Sequence, residues 1–232
     1  MSRAGPEEMV EIGTPPVMIR MRSSARARRM TLRVSRLDGG VVLTRPRGVR
    51  LAEAVRFAET KVDWLRAQLA DVSPRKAVAL GAEVPVGGVA LPVVTGRPGI
   101  GAAEIRVRER LPAGPQVEAL LKGLARERLR RAVDRHGAVL GRKPGRLTLR
   151  DTRSRWGSCT AKGDLMFSWR LVMAPEDVLD YVAAHEVAHL VHMDHSPAFW
   201  SVTEHLCPDW RSHRRWLRDH GTGLHAWMFR EA

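Results

Sequence analysis

The segment that follows Pro175 constrains the fold of this chain most strongly, because it combines the signals of a helix start with two histidines at helical spacing. Glu176 and Asp177 fall in the predicted first turn, where the helix dipole favours negative charge. His185 and His189 lie four residues apart, so a helix places both side chains on one face, with Cβ atoms about 5–6 Å apart. The sequence therefore predicts a helix that directs two imidazoles towards one point.

His185, Glu186 and His189 form the pattern H-E-x-x-H, which is typical of zinc sites. Two imidazoles at this separation reach one ion with bonds of about 2.0–2.1 Å. Glu186 points beside such an ion, where its carboxylate can take a proton from a water that the metal activates. Two histidines unrelated to a metal are the alternative, but the apolar residues around them would leave buried imidazoles without partners. We predict one Zn²⁺ per chain and Glu186 as the catalytic base.

The third metal ligand is less tightly defined, since a catalytic zinc takes three protein ligands and keeps one position open. His195 reaches back to the ion only if the metal helix ends and the chain turns, and Ser196-Pro197 indicates a new helix just beyond it. The turn has no glycine, so His192 or Asp194 is expected to supply any left-handed residue. Glu204 on the following helix, and His192, remain alternatives to His195, which the spacing favours.

The rest of the sequence predicts an α+β fold in which the metal helix packs on a small sheet. The predicted parts are a flexible tail, a β-rich subdomain with one long helix, and a catalytic domain, at residues 1–16, 17–112 and 113–232. Asp38-Gly39-Gly40 indicates a hairpin turn in the subdomain, and the Pro- and Gly-rich segment 111–115 marks its end. Alternating apolar residues predict a strand over 165–171 in the catalytic domain.

The charge of the chain bears on its partners. Its 39 Lys and Arg residues exceed its 25 Asp and Glu residues, for a formal net charge of +14 at pH 7. Such a field attracts nucleic acid, nucleotides or acidic substrates, but an arginine excess is also what a GC-rich genome produces without selection for a ligand. The basic run in the helix after residue 115 is more typical of a solvated face than of a binding patch. Net charge alone therefore does not decide the function.

The N-terminal residues and the cysteines predict a cytoplasmic location. Acidic residues and prolines occupy the position where a signal peptide needs an apolar run. No stretch of about 18 apolar residues predicts a membrane span. Cys159 and Cys207 form no C-x-x-C pair and imply no disulfide framework, which fits a reducing compartment. The sequence gives no indication of the oligomeric state.

Several motifs occur together and in order between Thr152 and Trp200. They are R-W-G-S-C, F-x-W-R-L, H-E-x-x-H and H-S-x-x-F-W, at residues 155–159, 167–171, 185–189 and 195–200. With this combination the chain resembles the YgjP-like zinc metallopeptidases, relatives of the SprT-like and WLM domains, most strongly over 147–216. The resemblance implies a zincin-like core with the third ligand at His195 and Glu186 as catalytic base, but it does not define the substrate. A peptidase of this kind would act on a peptide or protein.

Residues near the metal helix are candidates for substrate binding. Arg153 and Arg155 precede Gly157 in a loop, where a guanidinium could bind substrate or stabilise the developing oxyanion. The alternative is that these arginines form structural ion pairs with acidic groups of the metal helix. By analogy with zincins, the strand that carries Trp169 would form the sheet edge on which an extended peptide adds.

Three functions are compatible with these features. The first, which we favour, is a peptidase in which Glu186 takes a proton from water and later gives it to the leaving amine. The second is a hydrolase of phosphoanhydrides or nucleotides that uses the same metal site, as the arginine content suggests. The third is a nucleic-acid-associated protease, although the sequence contains no nucleic-acid-binding motif.

Overall fold

The computed structural model describes residues 8–35, 38–70, 72 and 74–230. It divides into two compact units, residues 1–75 and 76–232. This division differs from the predicted one after residue 112, because the strands between 83 and 107 share a hydrophobic core with the helix that follows them. Ile105 and Val107, for example, are buried in the same cluster as Val117 and Leu121.

The first unit is a sheet with helices on one face. Its elements are β1 (Glu8–Ile12), β2 (Val17–Ser24), β3 (Thr31–Val34), β4 (Val41–Pro46), α1 (Leu51–Glu59) and α2 (Val62–Ala70). The strand order is β1-β2-β4-β3, with β2 and β4 parallel and the outer pairs antiparallel. Alternate residues such as Ile19 and Leu43 are fully buried with Ala58 and Leu65 of the helices. Because every second residue of these strands is apolar and points to the same side, that face of the sheet is the one that the helices cover.

Local signals explain where the first unit agrees with the sequence and where it departs from it. The predicted hairpin is confirmed, since Val34 pairs with Val41 across a turn in which Gly39 has a φ of 68°. The predicted tail differs, because residues 8–12 form β1, while residues 1–7 lie outside the described residues. The predicted long helix is two helices, because a turn at Thr60 separates them.

The second unit confirms the predicted α+β class. Its elements are β5 (Lys76–Ala77), β6 (Glu83–Val86), β7 (Val89–Thr95), β8 (Gly99–Ile100), β9 (Ile105–Val107), α3 (Ala113–Val139), β10 (Leu147–Arg150), β11 (Gly157–Cys159), β12 (Leu165–Ser168), a 3₁₀ helix (Trp169–Met173), α4 (Glu176–Ala188), α5 (Pro197–Leu206), α6 (Trp210–Leu224) and β13 (Trp227–Met228). The sheets have the strand orders β6-β7-β9-β8, β10-β12-β11 and β13-β5. Helix α4 packs against α3, α5, α6 and β11, so it lies in the middle of the unit.

The sheet next to α4 corrects two predictions. The strand predicted over 165–171 ends at Ser168, and the chain continues as a 3₁₀ helix in which Arg170 is anchored. The Arg170 guanidinium donates to both carboxylate oxygens of Asp151, at 2.7 and 3.0 Å, and to the carbonyls of Leu224 and Trp227. β12 pairs with β10 on one side and β11 on the other, so it is a central strand and not the predicted edge.

Among the residues that the structure describes, no helix is both long enough and apolar enough to cross a membrane.

Candidate metal centre

The three histidines of the sequence prediction lie together at the end of α4. His185 and His189 come from the helix and His195 from the segment that follows it, and their ligand nitrogens all lie within 4.8 Å of one another. The Nε2 atoms of His185 and His195 are 3.2 Å apart. Two nitrogens bound tetrahedrally to one ion at about 2.0–2.1 Å would be about 3.3 Å apart. The donor set therefore has the size and chemistry to hold one metal ion.

His195 reaches the other two histidines because the chain reverses directly after α4. The helix ends at Ala188, whose carbonyl accepts from the backbone nitrogens of Val191 and His192 at 3.0 and 3.1 Å. Ser196 then caps α5 by accepting from the backbone nitrogen of Phe199 at 3.4 Å. No non-glycine residue in the described part of the chain has a positive φ. The turn is therefore made without a left-handed residue at either His192 or Asp194.

Aromatic side chains fix the orientation of the imidazoles. The fully buried Phe199 ring stacks on His189 with centroids 4.5 Å apart, and contacts His185 and His195 edge-on at 4.9 and 4.8 Å. The ring of Trp200 stacks on His195 at 5.8 Å. His189 Nδ1 lies 2.9 Å from the carbonyl oxygen of His192, to which it can only donate. Because Nδ1 carries the proton of that hydrogen bond, Nε2 of the neutral ring has the lone pair that can bind a metal.

The environment keeps these imidazoles in the form that binds metals. Burial, and then the neighbouring His189 and His195, lower the pKa of His185 to about 3. Burial likewise lowers the pKa of His189. Both rings are therefore neutral near pH 7, and a neutral imidazole is the ligand form.

Glu186 lies beside the histidines with only 5% of its surface exposed. Burial raises the pKa of its carboxyl to about 8, although the charge of Arg155 opposes the shift. The backbone of Gly157 in β11 packs directly on this side chain: a Cβ at Gly157 would lie 2.5 Å from Oε1 and 2.6 Å from Cγ of Glu186. The glycine of the R-W-G-S-C motif thus leaves the space that the carboxylate occupies.

A cleft of about 360 Å³ opens next to His185 and Glu186. It is lined by Trp156, Gly157, Tyr181, Val182, His185, Glu186, Arg214, Leu217 and Arg218. The Arg214 guanidinium lies 5.2 Å from the centre of the Trp200 ring, while Arg218 pairs with Asp219. Sequence reasoning missed Arg214 as a site residue. Its only signal was the spacing of four between Arg214 and Arg218 on a predicted helix, which is common on solvated faces.

The alternative third ligands, Glu204 and His192, do not belong to the group of metal-ligating atoms that the described residues form. Glu204 pairs with Arg211, and it is not part of the histidine group that the described residues form. His192 contributes its carbonyl to His189. Burial, and then the charges of Glu186 and Asp164, raise the pKa of the Cys159 thiol to about 11, which disfavours the thiolate that a metal would bind.

The candidate substrate-binding residues have different outcomes. Arg155 is exposed and acts electrostatically on Glu186, and Arg153 is exposed. Asp180, one of the acidic residues of the metal helix considered as a partner for these arginines, pairs with Arg135 of α3. Trp169 is 1% exposed and packs edge-on against Phe229, so its prediction as a substrate-binding residue was wrong.

The comparison with family models agrees with the resemblance in the motifs. A sequence model of the YgjP-like metallopeptidase domain matches residues 28–220, which is most of the chain. A search of curated proteins gives no match. Among solved structures, the metallopeptidase zymogen of Pyrococcus abyssi abylysin is similar at 20% identity, over 39% of this chain and 93% of its own, with a TM-score of 0.36.

Proposed function

We propose that this chain, which belongs to the YgjP-like metallopeptidase family, hydrolyses peptide bonds with one zinc ion held by His185, His189 and His195. The observation that carries the proposal is the convergence of three imidazoles beside the buried Glu186. Three neutral nitrogen ligands with one open position are the donor set of catalytic zinc. When bound, the ion would polarise the scissile carbonyl and acidify a water.

Glu186 is the residue that moves protons in this proposal. Its carboxylate accepts a proton from the attacking water and then donates it to the nitrogen of the leaving amine. The raised pKa suits the second role, since a carboxyl that holds its proton near neutral pH is an effective acid. With a dication bound by the neighbouring histidines, the pKa of the Glu186 carboxyl would be lower, and the carboxylate would be available as the base for the first role.

A peptide fits the site better than a nucleotide because the sheet offers it a free edge. In the described part of the chain β11 pairs only with β12, so its other edge can take an extended peptide by strand addition. Gly157 of that strand contacts Glu186, so a peptide on this edge passes beside the histidines. This role replaces the one predicted for the strand of Trp169.

The cleft is expected to favour an acidic side chain next to the scissile bond. Arg214 lines the cleft and has no acidic partner among the described residues. The ring of Trp200 holds its guanidinium in place. Peptide pairs that differ by Glu or Gln at each position flanking the scissile bond test this expectation. The Arg214→Gln variant should lose the preference for Glu, whereas Arg215→Gln, which removes a cation from the same helix outside the cleft, should keep it.

The function is tested by assaying casein, peptides and nucleoside triphosphates in parallel. Protein stripped with a chelator should be inactive, and added Zn²⁺ should restore the cleavage of casein and peptides. Hydrolysis of nucleoside triphosphates without peptide cleavage would favour the phosphoanhydride alternative instead. Metal analysis should give about one zinc per chain.

A further inference from the structure

The sheet of the first unit has a second face that its helices do not cover. The strand register sets two rows of residues side by side on this face: Arg20, Val42 and Arg33 in one row, and Arg22, Thr44 and Thr31 in the other. Residues of opposite parity, such as Ile19 and Leu43, point into the core with the helices. The sequence therefore places arginines where a sheet without a partner would face water.

The residues of these rows other than Arg20 form the floor of a groove of about 1020 Å³, and the loop between β2 and β3 adds further positive charge. Its lining includes Arg22, Arg26, Arg28, Arg29 and Arg33, which are all exposed, and among the described residues no acidic side chain lines it. Over the described ranges, none of the five forms an ion pair. The nearest hairpin turn holds Asp38, whose carboxylate accepts from the backbone nitrogen of Gly40 at 3.2 Å.

The overall arginine content does not account for this arrangement. On helix α3, which is also rich in arginine, four of the five arginines have acidic partners: Arg128 with Glu176, Arg130 with Asp134, Arg131 with Glu127, and Arg135 with Asp180. Most cations of this helix are thus paired, whereas those that line the groove are not. In the groove the cations repel one another until an anion is bound.

We propose that this groove binds the phosphate backbone of nucleic acid. Its floor supplies hydroxyl groups from Ser24, Thr31 and Thr44 between the arginines, and hydroxyls with guanidinium groups are the usual phosphate contacts. The groove is larger than a pocket for a single small anion, which fits a polymer with a charge at every repeat. No aromatic side chain lines it, so it offers no platform for stacking bases. Binding is therefore independent of base sequence.

The test is fluorescence anisotropy with a labelled 20-base-pair duplex of mixed sequence, using the full chain in the presence of a chelator so that the metal centre plays no part. The dissociation constant is expected to be on the order of 10⁻⁶ M at low salt and to rise towards about 10⁻⁴ M as the salt concentration increases. If all five arginines contact phosphates, a plot of the logarithm of the association constant against the logarithm of the salt concentration should have a slope of about −4 to −5.

The decisive comparison uses two variants that lose the same charge. Replacing Arg22, Arg26, Arg28, Arg29 and Arg33 with Gln should abolish most of the binding and of the salt slope. Replacing Arg126, Arg130, Arg131, Arg211 and Arg215 with Gln should leave both close to those of the original chain. Circular dichroism checks that both variants fold. Equal losses in the two variants, no salt-dependent binding, or stronger binding of polyglutamate than of the duplex would overturn the proposal.

Discussion

The metal centre and the arginine groove differ in the environment of their polar side chains, which are buried at the first and exposed in the second. At the centre, Glu186 and His189 are buried. Packing against Gly157 restricts the side chain of Glu186 to one position, and stacking on Phe199 does the same for His189. In the groove, five exposed cations on an open sheet face and the adjoining loop have no fixed partners among the described residues. A site built by burial concentrates its function in a few residues, whereas a site built by summed charge distributes it. Single substitutions should therefore have large effects at the first and small effects at the second.

The largest effect is expected for Glu186→Gln. The amide keeps the shape of the side chain but cannot accept a proton, so peptide cleavage should fall by about 10²- to 10⁴-fold. Metal analysis should find the same zinc content as in the original chain, because Glu186 is not among the grouped histidines. A fully active variant would rule out Glu186 as the base.

His195→Ala tests how strongly the centre depends on the residue outside α4. Removing one of three ligands should lower zinc affinity by more than about 100-fold, since even residues that only orient ligands contribute 10- to 100-fold. Equilibrium dialysis against a zinc buffer measures this change. Glu204→Ala is the matched control, and it should keep its zinc because Glu204 pairs with Arg211. Loss of zinc in the control but not in His195→Ala would show that the ligand set is different.

Gly157→Ala tests the packing between β11 and the catalytic carboxylate. The added methyl group would overlap Glu186, and a displacement of about 1 Å in a catalytic group can cost up to about 100-fold in rate. Turnover should fall while zinc content and affinity stay unchanged. The control is Gly123→Ala on α3, where a Cβ would meet no atom within 4 Å, and its turnover should not change.

Asp151→Asn extends the comparison to stability. It would leave the buried Arg170 without its carboxylate, and the free energy of unfolding at pH 7 should fall by about 2 kcal/mol, limited by the partial exposure of Asp151. Burial tends to raise the pKa of Asp151, but the hydrogen bonds and charge of Arg170 outweigh it and lower that pKa. The stabilisation is thus present above the ordinary Asp pKa and lost as the pH falls through the lowered value.

Urea unfolding followed by tryptophan fluorescence at pH 7 and at decreasing pH measures this difference, which should vanish in strong acid. The exposed pair of Arg130 and Asp134 supplies the control. Asp134→Asn should change the free energy of unfolding by less than about 0.5 kcal/mol. Equal effects of the two substitutions would contradict the role of burial at Asp151.

The smallest effect is expected for one groove arginine alone. Arg33→Gln should weaken duplex binding only a few-fold and reduce the salt slope by about 1, since each phosphate contact contributes separately. Anisotropy titrations at several salt concentrations measure both values. Complete loss of binding in this single variant would mean that the groove, like the metal centre, depends on individual residues.

The sequence predicted those features whose signals lie within a few residues. The helix that carries His185 and His189, the hairpin at Gly39 and the cap at Ser196 all depend on local spacing or capping chemistry. The helix start at Ser196-Pro197 and the resemblance in the motifs both favoured His195, and the structure places it with the other two histidines. This is why the order of elements around α4 could be anticipated.

The features that were missed depend on contacts between distant residues. The free edge belongs to β11, because β12 pairs with a strand on each side. The alternation of apolar residues in β12 does not reveal how many strands pair with it. Arg214 lines the cleft only because α6 packs on α4. Likewise, the arginines at 22 to 33 converge because strand register and a loop bring them together, and the charge total does not reveal this.

The pairing of β13 with β5 has a consequence for the order of events during synthesis. Trp227 pairs with Lys76, its carbonyl accepts from Arg170, and the backbone of Phe229 fills the space beside Gly114. A nascent chain emerges from the ribosome from its N-terminal side, so this part of the core cannot close until residue 229 has left the exit tunnel. Residues 8–70 can assemble earlier. The arginine-lined sheet therefore leaves the ribosome before the residues that complete the core of the second unit.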